Sequence, residues 1–268
     1  MMNDKRDSNS QSGTATASPT MNDSDFFDHI KRIEKKLDKT RALVKRHIAE
    51  SPLSKDLIIP SHMVWRCEDY FVQAQSRVSV PGIPGMRCFF LQSCLRSLIN
   101  VPGAVAECGV REGKSSLYLL YATNTERQFF LFDSFEGLSD PHPQNDTLPS
   151  AVDPQTGERI FAGNSEQVIQ RFEPFTNVTV LPGWIPERFH VVSEEHFAFV
   201  HIDVDLYEPT RDSLEFFYPR LSKSGMIICD DYGSGAYPGA RRAMDEFFAD
   251  KAEMPIELPQ GQAFIVKR

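Results

Sequence analysis

FAFVHIDVDLYEPTRDSLEFFYPRLSKSGMIICDD, residues 197–231, contains two apolar runs that each end in paired acidic residues. Asp203 and Asp205 follow FAFVHI, and Asp230 and Asp231 follow MIIC, with a segment of helical spacing between them. Apolar run, helix, apolar run is the pattern of neighbouring parallel strands joined by a crossover helix. Four carboxylates then gather at the edge where open α/β sheets bind their ligands. Asp203 and Asp205 are two apart and are expected on the same side of an extended chain, whereas Asp230 and Asp231 fall on opposite sides or on a turn. Like charges in a cleft raise each other's pKa, so the cluster calls for a neutralising cation or else forms a water-filled acidic rim. An all-oxygen set without a nearby histidine or cysteine pair suits Mg²⁺ or Ca²⁺ better than zinc.

The same alternation extends on both sides of this stretch. AVAECGV, QFFLFDSF, NVTVLPG, GMIICDD and QAFIVKR read as strands, and GKSSLYLLYAT, SEQVIQRF, EPTRDSLEFFYPRL and PGARRAMDEFFAD as helices. A short strand near Ile256 to Leu258, turned at Pro259–Gly261, completes a seven-stranded, mostly parallel sheet with helices on both faces. One connection is long and polar, Glu136 to Asn164, and contains prolines, Gly157 and His142. A loop of that length in a compact domain is a functional lid or is disordered; its departure from the acidic edge favours a lid. His142 is either a substrate contact or simply exposed, and His201 is expected to pack within the sheet.

Glu107-Cys108-Gly109 ends the first strand, and Gly113-Lys114-Ser115-Ser116 opens the next helix. Glycines there allow a ligand close to the backbone, and helix N–H groups can meet a carboxylate or phosphate. GVREGKS is one residue short of a phosphate-binding G-x-x-x-x-G-K-[ST] loop, and the dinucleotide fingerprint G-x-G-x-x-G is absent. Asp133, at the end of the second strand about two dozen residues later, is placed for ribose hydroxyls or for a turn. The third strand ends at Gly183-Trp184, where the indole could stack on an adenine or fill the core.

Residues 1–24 are polar and read as a disordered tail. From Ser24 or Asp25 to about Glu50, Phe26, Ile30, Ile33, Leu37 and Val44 trace a helical seam that fits an amphipathic helix on its own domain or a homodimer contact. SHMVWRCEDYFVQAQSR and MRCFFLQSCLRSLIN, separated by the PGIPG turn, complete an α-helical N-terminal region over residues 25–100, expected to cover the substrate. The domain proper is 101–268.

A net charge of −8 argues against a nucleic-acid partner, since that affinity rests on Lys and Arg neutralising phosphates. Five scattered cysteines, Cys67, Cys88, Cys94, Cys108 and Cys229, lack zinc spacing and are expected as reduced thiols. No apolar stretch reaches the roughly 18 residues of a membrane span, and no signal core is seen, so a cytoplasmic location with no membrane partner is expected.

The ordered set AECGV, FDSFEG, LPGW, HIDVDLYEPTRDSLEFFYPRL and DDYG followed by PGARRAMDEFF resembles the macrocin O-methyltransferase family over about Val101 to Arg268. Those enzymes use S-adenosylmethionine and Mg²⁺ to methylate sugar hydroxyls in macrolide and aminocoumarin biosynthesis. The resemblance implies a class I methyltransferase domain, Rossmann-like, with an α-helical N-terminal addition. It also implies that Asp203, Asp230 and Asp231 hold the metal and that Asp205 is the general base. Glu107, Gly109, Ser115, Asp133 and Ser134 would then surround the cofactor, joined by Gly113, Gly183 and Trp184 from the loop and strand ends above. The glycine loop VREGKSS and the N-terminal half depart from the family's sugar-modifying members. The acceptor expected is a small hydroxylated natural product or glycoside. Two other readings fit the residues: metal-independent methylation of a nitrogen or carboxylate, and a cofactor-binding scaffold without catalysis.

Overall fold

Parallel strands buried on both faces are near-continuous apolar runs, and Phe197–Ile202 is buried at all six positions, with His201 its one polar residue. A computed structural model describes residues 68–122 and 126–268. The expected tail 1–24, the helix to Glu50 with its dimer contact, and Cys67 lie outside the described residues.

Two helices come first, α1 (Asp69–Arg77) and α2 (Gly85–Ser97). The α/β pattern follows as β1 (Ala104–Cys108), α3 (Lys114–Leu120), β2 (Phe129–Asp133), α4 (Ser165–Phe172) and β3 (Val178–Pro182). Next come β4 (Phe197–Ile202), α5 (Tyr207–Arg220), β5 (Leu221–Cys229), α6 (Pro238–Phe248), β6 (Ile256–Glu257) and β7 (Ala263–Val266). A short 3-10 turn at Glu187–Val192, which the sequence pattern does not announce, precedes β4. The seven strands run in the order β3-β2-β1-β4-β5-β7-β6, with β7 antiparallel to both of its neighbours. The strand order reverses between β1 and β4, which opens a crevice above their carboxyl ends. No described helix is long and apolar enough to cross a membrane.

Alternate residues of the central strands serve opposite faces. Ala106, Val200 and Ile227 pack with Leu214, Phe217, Ala240 and Met244 under α5 and α6. On the other face Val105, Phe199 and Ile228 pack with Leu91, Leu95 and Leu98 of the α2 region. Each such buried Val, Leu, Ile, Phe or Met side chain contributes about 1.5–3 kcal/mol. The helix expected as a preface therefore closes one face of the sheet, and Gln92, donating to the Tyr118 carbonyl at 2.7 Å, ties it to α3.

The long connection 136–164 is ordered by a small core of its own, with Leu138, Leu148, Ala151 and Ile160 against Leu206 and Tyr237. Asp146 fastens it to the sheet's helices: its Oδ1 accepts from the Tyr207 N–H (3.1 Å) at the start of α5, and its Oδ2 from the His142 N–H (2.8 Å). The His142 and Tyr207 ring centroids are 5.5 Å apart, and His142 is not among the residues that line the cavity at the sheet edge.

Candidate active site

Strand register determines which side chains meet. Cys108, Ile202 and Cys229 are partners across three adjacent strands, so Gly109, Asp203 and Asp230 are the next residues at one edge. The ladder runs one step further, with Asp203 N–H donating to Cys108 O and Asp230 N–H to Ile202 O, both at 2.8 Å. A cavity of about 470 Å³ opens there.

The strand β4 ends at Ile202, so Asp203 and Asp205 are not on an extended chain as the spacing suggests. Asp205 has φ +61°, and the Leu206 N–H donates to the Val204 carbonyl at 2.6 Å across it. That three-residue turn is a strained conformation. It presents the Asp205 N–H to Asp231 Oδ2 at 3.1 Å. Among the described residues no side chain or N–H donates to the carboxylates of Asp203 or Asp205, and both line the cavity.

Asp230 is different. It is fully buried, with Gln262 Nε2 donating to Oδ1 at 2.6 Å, His201 Nε2 at 3.4 Å from the same oxygen, and Arg87 Nη1 donating to Oδ2. His201 also meets Glu107 Oε1 through Nδ1 at 2.8 Å, and Ser116 Oγ donates to Glu107 Oε2. Histidine, expected only to pack, is thus the link between two buried carboxylates. One donor atom each from His201, Asp203 and Asp230 lies within 4.8 Å of the others, so the set is not the histidine-free one the sequence suggested. His201 stands two residues before Asp203, and strand pairing aligns it with Glu107.

Charge follows this wiring. Burial, then the negative charge of Asp230 and Asp231, pushes the Asp203 carboxyl well above its ordinary value. Burial and the charges of Asp231 and Asp230 do the same to Asp205. Asp231 is pushed up to about 7 by burial and Asp230. For Asp230 burial acts in the same direction, but His201, Arg87 and Gln262 outweigh it and hold the group below the carboxylate range. Burial would lower His201, yet its bonds to Asp230 and Glu107 hold it well above the imidazole range.

On the β1–β3 side, Asp133 accepts from the N–H groups of Val110 (2.7 Å), Arg111 (2.6 Å) and Phe135 (2.6 Å), which shapes the glycine loop. Burial still raises its pKa against those bonds. Gly109, Ser115, Asp133, Ser134, Gly183 and Trp184 all line the cavity with the four aspartates. Glu107 and Gly113 do not. Glu107 is fully buried and engaged by His201 and Ser116, so it supports the wall from behind. At Gly113, with φ +77°, an added Cβ would meet the Phe172 ring at 2.6 Å; that glycine serves packing. Arg87 and Arg111 are cavity residues that the sequence reading did not single out. The only signal for Arg111 is its place in the glycine loop, and Arg87 gives none, because its partner Asp230 is 143 residues away.

The sequence profile of the Macrocin-O-methyltransferase (TylF) family matches residues 75–260, more than half of the chain. The chain belongs to the macrocin-O-methyltransferase family. One relative of this macrocin-type chain is the 8-demethyl-8-(2,3-dimethoxy-alpha-L-rhamnosyl)-tetracenomycin-C 4'-O-methyltransferase of Streptomyces olivaceus. It is 32% identical over 156 residues, 54% of this chain and 60% of the relative, so the match spans less than two thirds of that protein. The mycinamicin III 3''-O-methyltransferase of Micromonospora griseorubida is 30% identical over 195 residues, 67% of this chain and 72% of the relative. The solved structure of the O-methyltransferase NovP superposes with a TM-score of 0.57 at 28% identity, covering 69% of this chain and 81% of that one. The class I methyltransferase fold expected for a macrocin-type enzyme is the one observed.

The donor set fits a hard divalent cation. Of the three expected ligands, Asp203 and Asp231 are crowded carboxylates whose proton affinity is raised by burial and by the charge of Asp230, and Asp203 has no hydrogen-bond donor among the described residues, whereas Asp230 is shared with Gln262, His201 and Arg87. Oxygen donors of this kind match Mg²⁺. The same cavity continues to the carboxyl ends of β1, β2 and β3, where Gly109, Asp133, Ser134, Gly183 and Trp184 line it beside the reversal in strand order at which such sheets bind nucleotide-like ligands. Asp133, placed by the sequence for ribose hydroxyls or for a turn, is engaged by three N–H groups of the turn.

Proposed function

We propose that the protein transfers a methyl group from S-adenosylmethionine to a hydroxyl of a glycoside or other vicinal diol of a natural product, assisted by Mg²⁺. The observation that carries this reading is the Asp205 carboxylate, which faces the cavity with no described donor, beside Asp203, Asp230 and Asp231. The names of the relatives, O-methyltransferases of a rhamnosyl tetracenomycin and of mycinamicin III, support a glycoside acceptor.

Asp203, Asp230 and Asp231 would hold the metal, which when bound supplies Lewis acidity that lowers the pKa of an acceptor hydroxyl. The sulfonium cofactor supplies an already activated methyl group, so the chain's own task is alignment and proton removal. Gly109, Ser115, Asp133, Ser134, Gly183 and Trp184 line the place for the cofactor. Asp205 takes the hydroxyl proton as the oxygen attacks. Its burial and its neighbours raise its pKa, which suits a group that must accept a proton near neutral pH. Leu138, Ser139 and Phe161 of the 136–164 connection line the same space.

The test is transfer of labelled methyl from S-adenosylmethionine to candidate glycosides, with and without EDTA, in the wild type and Asp203→Ala. Loss of turnover in both treatments is expected. Unchanged turnover in both would remove the metal from the reading, and cofactor binding with no transfer to any acceptor would favour a scaffold.

A further inference from the structure

Arg87, near the start of α2, is seated on a partner set assembled from distant parts of the chain. Its Nη1 donates to Asp230 Oδ2, and its Nε and Nη2 both donate to the Gln260 carbonyl, at 3.1 and 3.0 Å. The seat is shaped for a guanidinium. Gly261, at φ +93°, keeps the β6–β7 turn close, since a Cβ there would lie 3.0 Å from Arg87 Nη2. Gly233 allows that turn to approach the segment after Asp231, because its own Cβ would meet Gly261 Cα at 2.8 Å. Arg87 nevertheless lines the cavity, with its side chain 20% exposed.

An ionised carboxylate has about four lone-pair positions. On Asp230 the two of Oδ1 are contacted by Gln262 and His201 and one of Oδ2 by Arg87, which leaves about one, on Oδ2, for a further ligand. Two effects of Arg87 on an incoming cation therefore have the same sign: it occupies one of the two positions on Oδ2, the oxygen left for a ligand, and its positive charge repels another cation a few ångströms away in a low-dielectric site. A purely orienting role would have the opposite sign. Orientation is already supplied by Gln262 and His201, so the charge effect prevails.

From this the geometry points to Arg87 as a resident counter-cation that competes with the divalent ion for Asp230 and keeps metal affinity low. This inference rests on the metal reading proposed above. Manganese(II) serves as the probe, with the free ion counted by its paramagnetic resonance signal during titration of the full chain. Arg87→Leu and Arg87→Gln should each bind it roughly ten-fold more tightly than the wild type, and Arg87→Lys, which keeps the charge, should stay close to the wild type. Thermal unfolding of each variant establishes that it is folded; Gln keeps a hydrogen-bonding head should Leu prove too disruptive. If Asp203→Asn abolishes binding while both neutral variants bind no more tightly than the wild type, the role of Arg87 is overturned and the metal reading stands. If the ion binds no better to the wild type and neutral variants than to Asp203→Asn, both are overturned.

Discussion

His201 stands between Glu107 and Asp230, with Nδ1 2.8 Å from one carboxylate and Nε2 3.4 Å from the other, and all three residues are fully buried. Glu107 supports the loop that opens α3 through Ser116, and Asp230 belongs to the aspartate cluster. The imidazole therefore joins the two halves of the crevice. Replacing it with Phe leaves two buried carboxylates short of a partner, a change that costs about 3–5 kcal/mol. Urea unfolding of His201→Phe should show that loss, and a loss below about 1 kcal/mol would mean that the link carries no stability.

Gly109 touches the main chain of Asp203 so closely that an added Cβ would collide with the Asp203 carbonyl oxygen, and its φ of +88° disfavours any side chain. Gly109→Ala must part the ends of β1 and β4. We expect about 1–3 kcal/mol of destabilisation from overpacking, together with weaker S-adenosylhomocysteine binding by calorimetry. Gly157→Ala is the control: its φ is +72° and nothing lies within 4 Å, so only the backbone term of roughly 1–2 kcal/mol remains. Equal behaviour of the two variants would contradict the contact argument.

Stability should fall as pH rises through the neutral range when no cation is present. Asp231 titrates at about 7 in the folded chain against an ordinary 3.8, so between those values the folded state holds a proton that the unfolded state has released. Raised Asp203 and Asp205 act in the same direction. His201 contributes stability that is complete below its ordinary 6.5 and fades as pH climbs through its raised folded value, which adds to the same slope. Melting temperatures in EDTA should be lower at about pH 8 than at about pH 6, and Mg²⁺ should restore more at the higher pH, where it need not displace protons. A Mg²⁺ increment that is equal or larger at the lower pH would contradict this account.

Asp205→Asn isolates the proposed base. Asn tolerates the left-handed backbone seen at this position, so the turn should survive the change. Removing a general base typically costs about 10²–10⁴ in rate. Turnover should fall by that factor while S-adenosylhomocysteine affinity stays at the wild-type level. A variant that retains full kcat would move the proton-accepting role elsewhere.

The sequence by itself determined the alternation of strands and helices, because fully buried parallel strands require near-continuous apolar runs such as FAFVHI and the helices between them keep a 3.6-residue period. It also placed Gly109, Ser115, Asp133, Ser134, Gly183, Trp184 and the four aspartates at one edge, since strand ends in such a sheet are local features of the chain, and all ten line one cavity. Several features were decided only by the tertiary structure. Glu107 turned inward because strand register aligned it with His201, and Asp205 left the extended chain in a tight turn fastened to Asp231. Asp230 acquired Arg87 from a helix far earlier in the sequence. Such pairings depend on which distant segments the fold brings within hydrogen-bond reach, and residue spacing along the chain carries no record of that distance. Spacing places the acids at one edge; the partners each acid meets in the folded chain set its charge and the role open to it.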